Sequence, residues 1–120
     1  MKSENLAIGY LGEDIAKRYL QKKGYKIIER NYKTKYTEID LIARDRKTLV
    51  FIEVRTKTKE EFGIPEESLN HNKINKLIRG ATAYMIQKRY EIDYRIDAVC
   101  IVLEKNKKIR RLAHYQGVTL

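Results

Sequence analysis

The chain holds one cysteine, one proline and no tryptophan among 120 residues. A single thiol, Cys100, forms neither an internal disulfide nor a cysteine-based zinc cage, which excludes a disulfide scaffold and a zinc finger. Its setting, the apolar run Ala98-Val99-Cys100-Ile101-Val102, predicts a core residue, and a lone thiol suits a reducing compartment. Long hydrophobic runs are also missing. No stretch could span a bilayer and no apolar signal region follows Met1, so a cytoplasmic chain without membrane contact is expected. There is no internal repeat or low-complexity tract, and the length suits one domain, residues 1–120, since domains commonly run ~100–150 residues. Acidic residues are the minority charge. Asp and Glu number 16 against 26 Lys and Arg, a net charge of +10. Such an excess points to a polyanionic partner, nucleic acid first, with a solvated basic surface as the plainer reading.

What is present is regular periodicity. Ile8, Leu11, Gly12, Ile15, Ala16, Tyr19 and Leu20 recur at helical spacing and predict a helix over Asn5 to Lys23, with Ser3 or Asn5 as its cap and Gly24 just past its end. Strands are predicted at Tyr25–Tyr32, Thr37–Arg44 and Leu49–Arg55, the last two joined as a hairpin through Asp45-Arg46-Lys47-Thr48. Thr56–Asn70, with Pro65 and Gly63, reads as a mobile loop made locally acidic by Glu60, Glu61, Glu66 and Glu67. A second helix is expected from about His71 to Arg89, where Gly80 marks close packing. Two strands follow, the apolar Arg95–Leu103 and the basic Ile109–His114. The order α-β-β-β-α-β-β makes the third and fourth strands parallel across the helical crossover.

The hairpin register follows from its apolar pattern. Ile39, Leu41 and Ala43 share a face with Val50, Ile52 and Val54 only if Leu41 pairs with Ile52 and Ala43 with Val50. That register sets Asp40 opposite Glu53 and Glu38 opposite Arg55. Two carboxylates directly across a sheet destabilise it unless something compensates. A hard divalent cation would do so, and so would solvation at a fraying hairpin end helped by Arg55 and nearby lysines. Glu13 lies at the edge of the first helix's apolar stripe, and Gly9 and Gly12 would let that helix approach the sheet. It reads either as a third carboxylate over the sheet or as an ordinary boundary residue. Acid, acid and nearby cation are the parts phosphodiester hydrolysis needs: metal ligands, and positive charge for the transition state.

At these residues the chain resembles the YraN-like family of small bacterial proteins. The matching segments are Ile8-Gly9-x-x-Gly12-Glu13-x-x-Ala16, Gly24-Tyr25 through Arg30-Asn31, Glu38-Ile39-Asp40-Leu41-Ile42-Ala43, and Val50-Phe51-Ile52-Glu53-Val54-Arg55. Lys73, Ala81, Tyr84 and Arg95-x-Asp97 match as well. That family resembles the Holliday junction resolvases of the PD-(D/E)XK superfamily. The resemblance implies an α/β fold with a restriction-endonuclease-like αβββαβ core, a mixed β-sheet flanked by helices. It implies a Mg²⁺- or Mn²⁺-dependent endonuclease, with DNA as partner and a homodimer as the assembly of related resolvases. It carries over Glu13, Asp40 and Glu53 as acidic metal-site and catalytic positions, the Val54 carbonyl as a further metal ligand, and Arg55 at the place of the catalytic lysine. Thr37 stands where the family has glycine. Arginine stays protonated and cannot act as a general base, although it can hold phosphate charge.

Lys57 is a nearby ammonium. Lys73, Lys76 and Arg79 on the second helix, and the run Lys105, Lys107, Lys108, Arg110 and Arg111, are candidates for phosphate contact, since such contacts need charge without sequence information. Tyr32 and Tyr36 flank the hairpin entrance and are candidates for base stacking or for ordinary packing. His71 and His114 have no metal-ligand partner at suitable spacing. Two functions stand at this point: a metal-dependent endonuclease acting on branched or structured DNA, and a non-catalytic nucleic-acid-binding module built on the same fold.

Overall fold

Two amphipathic helices close over opposite faces of one sheet in a computed structural model that describes residues 2–59 and 63–118. The elements are α1 (Lys2–Lys22), β1 (Lys26–Lys33), β2 (Glu38–Asp45), β3 (Thr48–Thr58), a 3₁₀ turn (Pro65–Ser68), α2 (His71–Lys88), β4 (Tyr94–Leu103) and β5 (Ile109–Tyr115). The sheet order is β1-β2-β3-β4-β5. β3 and β4 are parallel and every other pair is antiparallel, as the crossover through α2 requires. This is the restriction-endonuclease-like topology. No helix among the described residues is long and apolar enough to cross a membrane.

Under α1, the side chains of Ala16, Leu20, Leu41, Ala43, Val50, Ile52, Val99 and Ile101 form one core. Under α2, Ile39, Ile42, Leu49, Phe51, Leu77, Ala81, Tyr84 and Ile96 form the other. Cys100 is buried in β4, as expected, and burial pushes its thiol up to about 12.

The glycines divide by what faces them. Gly12 lies against Thr56 so closely that no side chain fits, whereas Gly9 faces open space. Only Gly12 brings α1 down on the sheet. Gly80 presses on Thr34, Thr37 and Ile39, the close packing its place inside a helix suggested. Gly24, at φ +95°, ends α1, with the Tyr25 N–H returning to the Leu20 carbonyl at 3.0 Å.

Several expected boundaries move. Helix α1 begins at Lys2, so Ser3 and Asn5 lie within its first turn and are not its caps. Asn70 caps α2 by accepting from the Lys73 N–H, and Arg89, in left-handed conformation, ends it. β3 runs on to Thr58, and Pro65–Ser68 is ordered as a 3₁₀ turn, so much of the expected loop has regular structure. Glu60 and Glu61 lie outside the described residues.

Candidate active site

β2 and β3 stay paired from Asp45 opposite Thr48 to Leu41 opposite Ile52, in the register the apolar pattern predicts, and then part. The expected oppositions of Asp40 with Glu53, Ile39 with Val54 and Glu38 with Arg55 lie beyond that last pair. At the fork, the Val54 backbone N–H donates to Asp40 Oδ2 at 2.8 Å. A side-chain carboxylate thus stands where a continued ladder would bring the next strand carbonyl. Released from β3, Ile39 packs into the α2 core and not with Leu41 and Ala43. That corrects the expectation that all six hairpin residues share one face.

Asp40 and Glu53 remain neighbours at the fork. The Asp40 carboxyl is pushed up to about 7, first by burial and then by the Glu53 carboxylate, against the pull of the Val54 N–H and of Lys73. Glu53 is only 4% exposed. Its Oε2 lies 2.7 Å from Arg55 Nη2 and 3.7 Å from Lys73 Nζ. Lys73 in turn donates to Thr37 Oγ1 at 3.0 Å, so the Thr37 hydroxyl holds the α2 lysine over the pair. Buried charge is tolerated only when paired, and here two acids meet two cations.

The pairing is incomplete. Among the described residues, the buried side-chain polar atoms without a hydrogen-bond partner are Glu53 Oε1, Arg55 Nε and Thr56 Oγ1. All three lie in one short stretch of β3 at the fork. Buried polar atoms nearly always find partners, and each exception calls for an explanation, such as an ion, a water or local strain.

Glu13 approaches from α1 with its side chain 13% exposed. Its Oε1 accepts from Asn31 Nδ2 at 3.0 Å and from Arg30 Nε at 3.5 Å. Arg30 also reaches Asp14 at 2.6 Å. Asn31 adopts φ +52°, a left-handed conformation that asparagine tolerates better than most residues. Burial raises the Glu13 carboxyl above its ordinary value, Asn31 opposes this, and the charge of Asp40 adds to it.

Among the described residues, no three His, Cys, Asp or Glu side chains are grouped for a metal. Glu13, expected as the third acid, is committed to Asn31 and Arg30. What the fork does offer is two carboxylates and, on the strand edge where the Val54 N–H emerges, the Val54 carbonyl. All are hard oxygen donors, and Mg²⁺ commonly takes one or two carboxylates and keeps several waters. The unpartnered Glu53 Oε1 and the raised Asp40 carboxyl fit a dication that would supply the missing contact and relieve the like-charge pair.

The predicted basic residues are distributed differently. Lys73 joins the fork. Lys57 lines a cleft of about 440 Å³ with Lys59, Arg110 and Arg111. Lys107 and Lys108 are exposed in the β4–β5 turn. Arg110 lies 3.2 Å from Glu104. Arg111 holds Glu66 through two bonds of 2.6 and 2.9 Å, and Tyr115 adds a third at 2.8 Å. This fastens the 3₁₀ turn to β5.

Sequence reasoning missed Arg30, Asn31 and Thr37 as partners of the site, although Arg30-Asn31 lay inside a matching segment. It also missed a buried cluster on the sheet: Asp97, fully buried, meets Arg95 at 3.0 Å and His114 at 2.8 Å. His114 therefore serves a carboxylate in the core.

Comparison with known proteins gives a consistent result. The model of a family described as uncharacterised protein family UPF0102 matches residues 12–101. A UPF0102 protein of Alkaliphilus metalliredigens is 41% identical over 104 residues, 86% of this chain and 91% of the relative. One of Clostridium kluyveri is 42% identical over 103 residues, 85% of this chain and 84% of the relative. One of Desulforamulus reducens is 38% identical over 120 residues, 98% of both chains.

Proposed function

We propose, since the chain belongs to the uncharacterised protein family UPF0102, that it is a Mg²⁺- or Mn²⁺-dependent endonuclease hydrolysing phosphodiester bonds in branched or otherwise structured DNA. The observation that carries this reading is the Asp40–Glu53 fork, a half-buried aspartate beside a buried glutamate with an unpartnered oxygen, set among cations. Asp40, Glu53 and the Val54 carbonyl would hold the metal, which when bound would polarise a phosphoryl oxygen and activate water. Arg55 and Lys73 place positive charge where a phosphodiester would meet the pair, the charge a phosphoryl transition state requires. Thr37 positions Lys73. Glu13 adds negative charge beside Asp40 at one remove from the metal. Lys57, Lys107 and Lys108 lie farther along the sheet and suit contact with the backbone of a bound strand.

The test is cleavage of labelled four-way junction, flap, single-stranded and duplex DNA with Mg²⁺ or Mn²⁺, by the wild-type protein and by Asp40→Asn. Cleavage by the wild type alone supports the assignment. Equal cleavage by both proteins rejects the site.

One observation favours a second reading. Arg55 occupies the catalytic lysine's place and closes on Glu53 at 2.7 Å, which partly neutralises the pair without a metal. A binding module of this kind would hold nucleic acid in a salt-dependent manner and cleave none. Calorimetric titration with Mn²⁺ separates the two: binding that is lost in Glu53→Gln supports the nuclease, and no binding supports the module.

A further inference from the structure

The two tyrosines at the hairpin entrance have different surroundings. Tyr32 packs edge-on against Tyr84 with ring centroids 5.0 Å apart, and its hydroxyl donates to Gln87 at 3.3 Å. It is a packing residue. Tyr36 is 38% exposed and stands at the rim of a cleft of about 520 Å³ between the β1–β2 turn and the outer face of α2. Lys35 and Arg79 line the same cleft, and its apolar wall includes Ile78 and Ile86. Ile86 is 73% exposed, unusual for an isoleucine on a helix whose other face is already packed.

We propose that this cleft receives an unpaired nucleotide of the nucleic-acid strand, its base stacked on Tyr36 against the apolar wall and its phosphates met by Lys35 and Arg79. The inference deepens the reading of the fork as a nucleic-acid site and rests on it. Three observations select this occupant. The first is charge: two exposed cations rim a cleft whose floor mixes apolar Ile78, Ala83 and Ile86 with the hydrogen-bonding side chains of Thr82 and Gln87, in a chain of net charge +10, a combination that suits a base carrying an anionic backbone better than an apolar helix. The second is rigidity. Thr34 closes the turn by donating its hydroxyl to the Thr37 carbonyl at 2.8 Å and accepting from the N–H groups of Tyr36 and Thr37 at 3.2 and 3.1 Å. The ring is therefore presented on a fixed support. The third is continuity: Thr37, next to Tyr36, holds Lys73, and Lys73 reaches Glu53. A strand whose phosphate lies at the fork is thus one short step from the cleft. The Lys35 ammonium lies 5.4 Å from the Tyr36 ring centroid, an exposed cation–π contact weaker than base-on-ring stacking, so an arriving base displaces it.

The experiment is fluorescence anisotropy with a labelled single-stranded oligonucleotide and a labelled blunt duplex, in chelator so that no cleavage occurs. Tyr36→Ala is expected to weaken single-strand binding by about 5- to 150-fold, the range of one lost base stack, with duplex binding unchanged within about twofold. Tyr36→Phe retains the wild-type value. Ile86→Asp, on the α2 wall of the cleft and at an exposed helical position, gives the same selective loss without touching the turn. Equal loss for both ligands in these variants, or no loss for either, overturns the proposal. Absence of binding to both ligands by the wild type overturns it together with the nucleic-acid reading. Selective binding here, together with no cleavage in the separate assay with Mg²⁺ or Mn²⁺, overturns only the nuclease.

Discussion

Asp40 Oδ2 accepts the backbone N–H of Val54 at 2.8 Å where β2 and β3 separate. The same carboxylate that ends the ladder also faces Glu53. Its removal and its neutralisation therefore have different consequences. Asp40→Asn keeps an oxygen for the Val54 N–H and removes the charge that burial and Glu53 oppose. Without metal at pH 8, this variant is expected to be more stable than the wild type by about 1–3 kcal/mol. Under the nuclease reading its cleavage is lost. Thermal melts and the cleavage assay on one preparation check both, and a fall in midpoint would refute the strained-pair account.

The acidity of Asp40 sets a pH dependence. Its folded value, about 7, lies above its ordinary value of 3.8. The stabilising contribution of the protonated form is complete below about pH 4 and is lost as pH rises through 7. Metal-free protein is expected to lose stability from this group across that window. Under the nuclease reading, Mn²⁺ competes with the proton, so added Mn²⁺ raises the midpoint more at pH 8 than at pH 5.5. Melts with and without Mn²⁺ at the two pH values decide the matter. An equal effect at both would break the link between Asp40 and the metal.

Glu66 has the opposite sign. Arg111 foremost, with Tyr115, holds its carboxyl down to about 2 from an ordinary 4.5. Its contribution is present above about pH 4.5 and is lost as pH falls toward 2. Arg111 is 39% exposed, so solvent screening limits the pair to about 1 kcal/mol. Glu66→Gln should destabilise by about that amount at pH 7 and speed proteolysis between β3 and α2. A wild-type digestion pattern would show that the 3₁₀ turn is held by packing alone.

Gly12→Ala tests the seat of α1. Alanine favours a helix by ~1 kcal/mol over glycine, yet its methyl would strike Thr56. A net destabilisation of about 1–3 kcal/mol is expected, as for overpacking. Thr56→Ala should recover part of it. At Gly9, which faces open space, the same substitution should stabilise. Unfolding curves for the single and paired variants check the whole set.

The parts of this structure legible in the sequence are those set by local periodicity. The apolar alternation of Leu41, Ala43, Val50 and Ile52 is enough to fix the hairpin register, and the helix between β3 and β4 is enough to make them parallel. The same alternation misplaced Ile39, because a pattern of side chains does not reveal where a ladder stops. Gly9 and Gly12 look alike as residues, and only the rotation of α1 on the sheet separates them. The candidate acids were legible as types at a spacing. Their partners were not: Asn31 reaches Glu13 through a left-handed backbone, and Arg111 finds Glu66 from 45 residues away. Such contacts depend on the assembled fold.

The spatial order of the strands repeats their order along the chain, and this gives the site a history. The β2–β3 hairpin closes over two residues, a fast local event, whereas β3 and β4 must find each other across the whole of α2. Distant pairings form late, after the entropy of closing the intervening chain is met. The local hairpin is therefore expected to bring Asp40 and Glu53 near each other first, while water still screens their repulsion to a small value. The repulsion grows only as α2 docks and excludes that water. The docking helix carries Lys73, so burial and compensation of the acidic pair arrive in the same step.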